Sequence, residues 1–158
     1  MRLKPFDILV GLALAAVLCF LLVVRHHGGS APAVLASPTL TPGEINPDVT
    51  QSNIGSTICV RGWTKTVRPP VGYTNALKAQ QLHEYGLAGP LSAYQEDHLI
   101  SLELGGNPTD PRNLWPEPYP RAADVDKIEN ELNAKVCSGR LTLAEARRKE
   151  AALKHAHG

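Results

Sequence analysis

Apolar residues are spaced along this chain in several distinct ways, and each spacing predicts a different element. From Ile8 to Val24 they are nearly unbroken, with Arg2 and Lys4 before them and Arg25, His26 and His27 after them. A basic start followed by an apolar core is an export signal, and this core is long enough to approach a membrane-spanning helix. Residues 1–27 are therefore expected to be a signal peptide or a signal-anchor. The next stretch, GGSAPAVLASPTLTPGEINP from Gly28 to Pro47, has no periodicity and no aromatic residue. Such a stretch has little to offset its ordering entropy, and a flexible linker is expected over 28–47. Thr50 is placed to cap a short helix ending near Cys59. Between Cys59 and Arg68 the β-formers Val60, Trp63, Thr64, Thr66 and Val67 interleave with Arg61, Lys65 and Arg68, a pattern that predicts a half-buried strand with a basic outer face. A helix capped by Thr74 follows from Asn75 to Tyr85, with Ala76, Leu77, Leu82 and Tyr85 inward and Gly86 as its stop.

The middle of the chain, EDHLISLELGGNPTDPRNLWPE from Glu96 to Glu117, carries alternating Leu99, Ile100, Leu102 and Leu104 into a Gly105-Gly106-Asn107-Pro108 turn. This predicts an antiparallel hairpin from Tyr94 to Trp115. Pro116, Pro118 and Pro120 then forbid helix and require an extended crossing. From Asp124 to Cys137, Val125, Ile128, Leu132 and Val136 recur at three and four, the stripe of a helix that packs on the hairpin. Ser138-Gly139 stops it. Thr142 and Glu145 form a capping box for a last helix, in whose tail His155 and His157 are expected as a charged end.

Charge narrows the functional classes. From Asp48 onward, 13 Lys and Arg face 13 Asp and Glu, so no domain-wide positive field draws in nucleic acid. An enzyme that holds a phosphate briefly, with a metal and a few local cations, remains compatible. Cysteines bear on compartment: Cys19 belongs to the export segment, leaving Cys59 and Cys137 in the exported part. Outside the cytoplasm such a pair predicts a disulfide, the other reading being two separately buried thiols.

The string DHLISLELGG together with NLWPE resembles the HNH, or ββα-metal, nuclease motif. The segments TICVRGWTKTVRPPVGYTNALK and VCSGRLTLAEA are similar to those flanking that motif in exported bacterial HNH-like proteins. The resemblance implies Asp97 as a metal ligand, His98 as the general base that deprotonates the attacking water, and Asn113 as the residue pinning the hairpin loop. An imidazole titrating near neutrality suits that role. It implies one divalent metal, magnesium or manganese, with zinc as the further option. The family's third site falls on the following helix, where Asp126 and Glu129 are the two candidates. No His or Asn follows Asn113 at the customary spacing. Arg68, Arg112 and Arg121 are candidates for holding phosphate, or for pairing with Glu96, Glu103 and Glu117 around the site.

The expected fold class is α+β: a small ββα-metal, HNH-like hairpin-plus-helix motif with additional helices around it, in one domain over 48–158. The expected function is metal-dependent hydrolysis of phosphodiester bonds in nucleic acid, DNA before RNA, by an exported endonuclease. The chain would meet the membrane through its N-terminal segment if that is uncleaved, and no protein partner is implied. The alternatives are a non-catalytic exported binding module on the same scaffold, or another metallohydrolase.

Overall fold

The computed structural model describes residues 34–119 and 121–157, and the segment 1–27 expected to direct export, with 28–33 of the expected linker, lies outside them. The described chain is α+β, with four α-helices around one two-stranded antiparallel sheet. The helices are α1 (Trp63–Val67), α2 (Val71–Glu84), α3 (Ala122–Cys137) and α4 (Leu143–His157). The strands β1 (Tyr94–His98) and β2 (Leu114–Pro118) pair from Tyr94 opposite Pro118 to His98 opposite Leu114. The hairpin is thus where the sequence predicted it, but its strands are short. The alternating residues after His98 leave the strand and wrap into a loop with a 3-10 turn at Leu102–Leu104, which buries Leu99, Ile100, Leu102 and Leu104 together.

Two glycines make that loop. A Cβ on Gly106 would lie 1.8 Å from the Ile100 carbonyl oxygen, and Gly105 has φ +69 with Val49 against it. A side chain is excluded at Gly106 by the Ile100 backbone, and at Gly105 by its positive φ and the Val49 side chain.

Helix α3 turns its stripe inward as its periodicity requires. Leu132 and Val136 join Val49, Ile58, Ile100, Leu104, Leu143 and Ala146 in the main core, with Ile128 packed against it. Gly139 at φ +74 ends α3, Arg140 N–H reaching the Lys135 carbonyl at 2.8 Å. Gly86 ends α2 in the same way, with Leu87 N–H on the Leu82 carbonyl. The Thr142–Glu145 capping box forms reciprocally at the start of α4. Cys59 and Cys137 are disulfide-bonded, with their Cα atoms 5.6 Å apart.

Three local expectations are corrected. Residues 59–68 form no strand. Val60, Trp63, Lys65 and Arg68 N–H groups bond to carbonyls three or four residues back, and α1 results. No strand of the two-stranded sheet lies alongside this segment, so local bonds satisfy its backbone. Helix α2 begins at Val71 behind Pro70, with Thr74 inside its first turn, and α3 begins at Ala122 with Asp124 paired to Lys127 rather than capping.

The linker is the larger correction. Its described part, 34–47, is laid down on the domain, and the folded unit begins at Val34 rather than Asp48. Ala36 and Thr41 are buried. Asn107 N–H donates to the Glu44 carbonyl, Gly43 N–H to that of Arg112, and Asn46 N–H to that of Gly105. A segment without internal periodicity is ordered here by a partner, the hairpin loop.

Candidate functional site

β1 has β2 on one side only, and along its other edge runs a cleft of about 520 Å³. Helix α2 contributes Thr74, Asn75 and Lys78 to the wall, and α3 contributes Asp126, Glu129 and Asn130. Gln95, Glu96, Asp97 and His98 come from the strand itself, and the exposed Arg68 also lines the cleft.

His98 is 5% exposed and lines this cleft. Its Nε2–H donates to the Pro108 carbonyl at 3.1 Å, which leaves Nδ1 as the basic nitrogen. Burial pushes the imidazole below its ordinary 6.5, against the pull of the Asp97 carboxylate. At neutral pH it is therefore uncharged and able to accept a proton.

Asn113 sits at the base of the loop, fully buried. Its amide donates to the carbonyls of Ile100 at 3.0 Å and Asn107 at 2.9 Å. Its carbonyl oxygen accepts from Ile100 N–H at 3.0 Å and Glu44 N–H at 3.3 Å. These bonds tie Ile100 and Asn107 of the loop to one side chain, and through Glu44 they also hold the strap 34–47.

Asp97 and Glu129 converge, but on a lysine. The Lys154 ammonium, with no exposed surface, donates to Asp97 Oδ2 at 2.7 Å, Glu129 Oε1 at 2.6 Å and the His98 carbonyl at 2.5 Å. Glu150 Oε1 lies 3.9 Å away. Burial raises the Asp97 carboxyl, but the Lys154 charge and hydrogen bond outweigh it and hold the group below the usual range. Burial pushes Glu129 up to about 9 against the pull of Lys154, and Glu150 up to about 7. Asp97 thus stands as the carboxylate that balances the ammonium, while burial shifts Glu129 and Glu150 toward their neutral forms, which limits unpaired buried charge. Asp126 stands apart, exposed on the cleft wall, where burial and the Asp97 charge raise it.

Of the three candidate phosphate cations, only Arg68 lines the cleft. Arg112 is engaged elsewhere, by Glu44 at 3.0 Å and Asp110 at 2.9 Å. Arg121 lies just before α3, outside the cleft lining. Among the acids expected around the site, Glu117 is fully buried and pushed by burial up to about 8, and Glu96 is raised to a similar value.

Lys154, Glu150 and Lys78 were not singled out by the sequence reading. For the first two a signal exists: the buried positions of α4 are Leu143, Ala146, Glu150 and Lys154, spaced three and four apart. The inward stripe of the last helix simply continues into charged residues. Such a stripe requires a buried partner set, and Asp97 and Glu129 supply it.

The chain matches no protein-family model, no curated protein and no solved structure.

Proposed function

We propose that the chain is an exported, HNH-like nuclease in which His98 takes a proton from the water that attacks a phosphodiester. The observation that carries this reading is the state of His98: buried at the edge of a cleft, uncharged, with Nε2–H fixed on the Pro108 carbonyl and Nδ1 bonded to no described residue. Asn113 supports it by fixing the loop that carries Pro108. Of the two cations in the cleft lining, Lys78 is buried on the Tyr94 carbonyl and Arg68 is exposed, so Arg68 is the one offered to a phosphate, and DNA is the first substrate to try.

The divalent metal implied by the resemblance would be held by Asp97 with Asp126 or Glu129. Asp97 and Glu129 share one point, but the Lys154 ammonium holds it. No three His, Cys, Asp or Glu side chains form a metal-holding group among the described residues. The set Asp97, Asp126 and Glu129 does not fit a metal in this arrangement, and no step is assigned to one. That same lysine, with the acidic cleft wall, favours the second reading, a non-catalytic binding module on an HNH-like scaffold.

The deciding assay is cleavage of plasmid, single-stranded DNA and RNA by the full chain, with magnesium, manganese or zinc and with chelator. His98→Ala is expected to lower the rate by a factor on the order of 10² to 10⁴, the usual contribution of a general base, without unfolding the chain. No cleavage under any condition, or cleavage indifferent to His98→Ala, leaves the binding module.

A further inference from the structure

The atoms around Lys154 describe a cage more general than a salt bridge. Three oxygens from two elements, Asp97 Oδ2 and the neighbouring His98 carbonyl of β1 and Glu129 Oε1 of α3, meet at a point 2.5 to 2.7 Å from each. Calcium takes about six to eight oxygen ligands at about 2.3–2.6 Å, so an ion at this point would draw its remaining ligands from water, whereas an ammonium offers only three donors and needs no further ligand. All three Lys154 donors are used, and its side chain is wholly buried. It therefore reaches neither the cleft nor anything bound there. Its position is set by α4, whose inward Leu143 and Ala146 are packed in the main core.

We propose that Lys154 is the resident cation of an oxygen cage whose alternative occupant is a divalent ion of calcium or manganese size, so that the native chain is closed to metal at Asp97 and Glu129. The lysine does from within the chain what a bound ion does elsewhere: it draws β1, through Asp97 and the His98 carbonyl, and α3, through Glu129, to one point. Shortening it opens the cage. The inference stands whether or not His98 cleaves phosphodiesters, because it is read by binding.

The test uses terbium, a calcium-like luminescent probe, on the full chain in detergent micelles. Trp115 lies opposite Asp97 in the strand pairing and serves as the sensitiser. The native chain is expected to give no Asp97-dependent emission. Lys154→Ala is expected to bind terbium at least ten-fold more tightly than the native chain, in competition with calcium. Lys154→Ala with Asp97→Asn is expected to lose that gain. Emission from the native chain that Asp97→Asn abolishes overturns the proposal, as does a folded Lys154→Ala chain no better than native. If Lys154→Ala does not fold, reductive methylation of the native chain decides: Lys154 protected equally with and without excess calcium supports a resident cation, and protection lost on adding calcium overturns it.

Discussion

Asn113 and Glu117 show what single buried polar side chains do here. Asn113 satisfies two N–H groups and two carbonyls with one amide. Asn113→Ala leaves those groups buried without partners, and a loss of roughly 3–5 kcal/mol in stability is expected by urea denaturation. A loss under about 1 kcal/mol would show that water replaces the amide and that the loop does not depend on it. Glu117 has the opposite problem, a buried carboxyl with no hydrogen-bond partner on either oxygen among the described residues. Its ordinary value of 4.5 is raised to about 8, first by burial and then by the Asp97 charge. Below pH 4.5 it is protonated folded or unfolded and costs nothing. As pH rises from 4.5 to about 8, the unfolded chain releases the proton while the folded one keeps it, so stability falls across that window. Glu117→Gln is expected to flatten this decline and to exceed the native chain at pH 9 by on the order of 3 kcal/mol. Parallel native and variant curves between pH 5 and 9 would disprove the assignment.

At the scale of elements, the disulfide decides how the start of the domain is held. Cys59 lies just before α1 and Cys137 ends α3, and 78 residues separate them. The short α1 has five residues, too few for an independently stable helix, and it keeps its place because the bridge and Trp63 tie it to the core. Replacing both cysteines with alanine is expected to cost about 4 kcal/mol by the chain-entropy account, measured as a fall in denaturant midpoint. Two alkylatable thiols in the unreduced protein would remove the premise. The bridge also bears on the proposed export, since such bonds persist in oxidising compartments.

At the scale of the whole molecule, the strap 34–47 closes the fold. It covers Leu99 and Trp115 through Ala36, meets Tyr85 through Thr41 Oγ1 at 2.6 Å, and meets the tail of α4 where His155 Nε2–H donates to the Thr41 carbonyl. A chain beginning at Asp48 is therefore expected to melt at least ~10 °C below one beginning at Val34, the shift that 2 kcal/mol produces in a domain this size. Equal melting temperatures would show that the strap is dispensable. The sequence did not disclose it, because Gly43, Pro47 and the small residues of 34–47 carry no period of their own and their order comes from bonds to Gly105, Asn107 and Arg112. Local rules were enough for the hairpin, the stripe of α3, the glycine stops and the Thr142 capping box, since each depends on residues within a few positions of one another. The same contiguous stretch placed His98 at the end of β1 and Asn113 just before β2. The strand predicted over 59–68 failed because a strand exists only beside another, and whether one lies alongside is a property of the assembled fold. Lys154 belongs to the same class. Only packing brings a residue of the last helix to within 2.7 Å of Asp97, 57 positions earlier, and so sets which cation stands between Asp97 and Glu129.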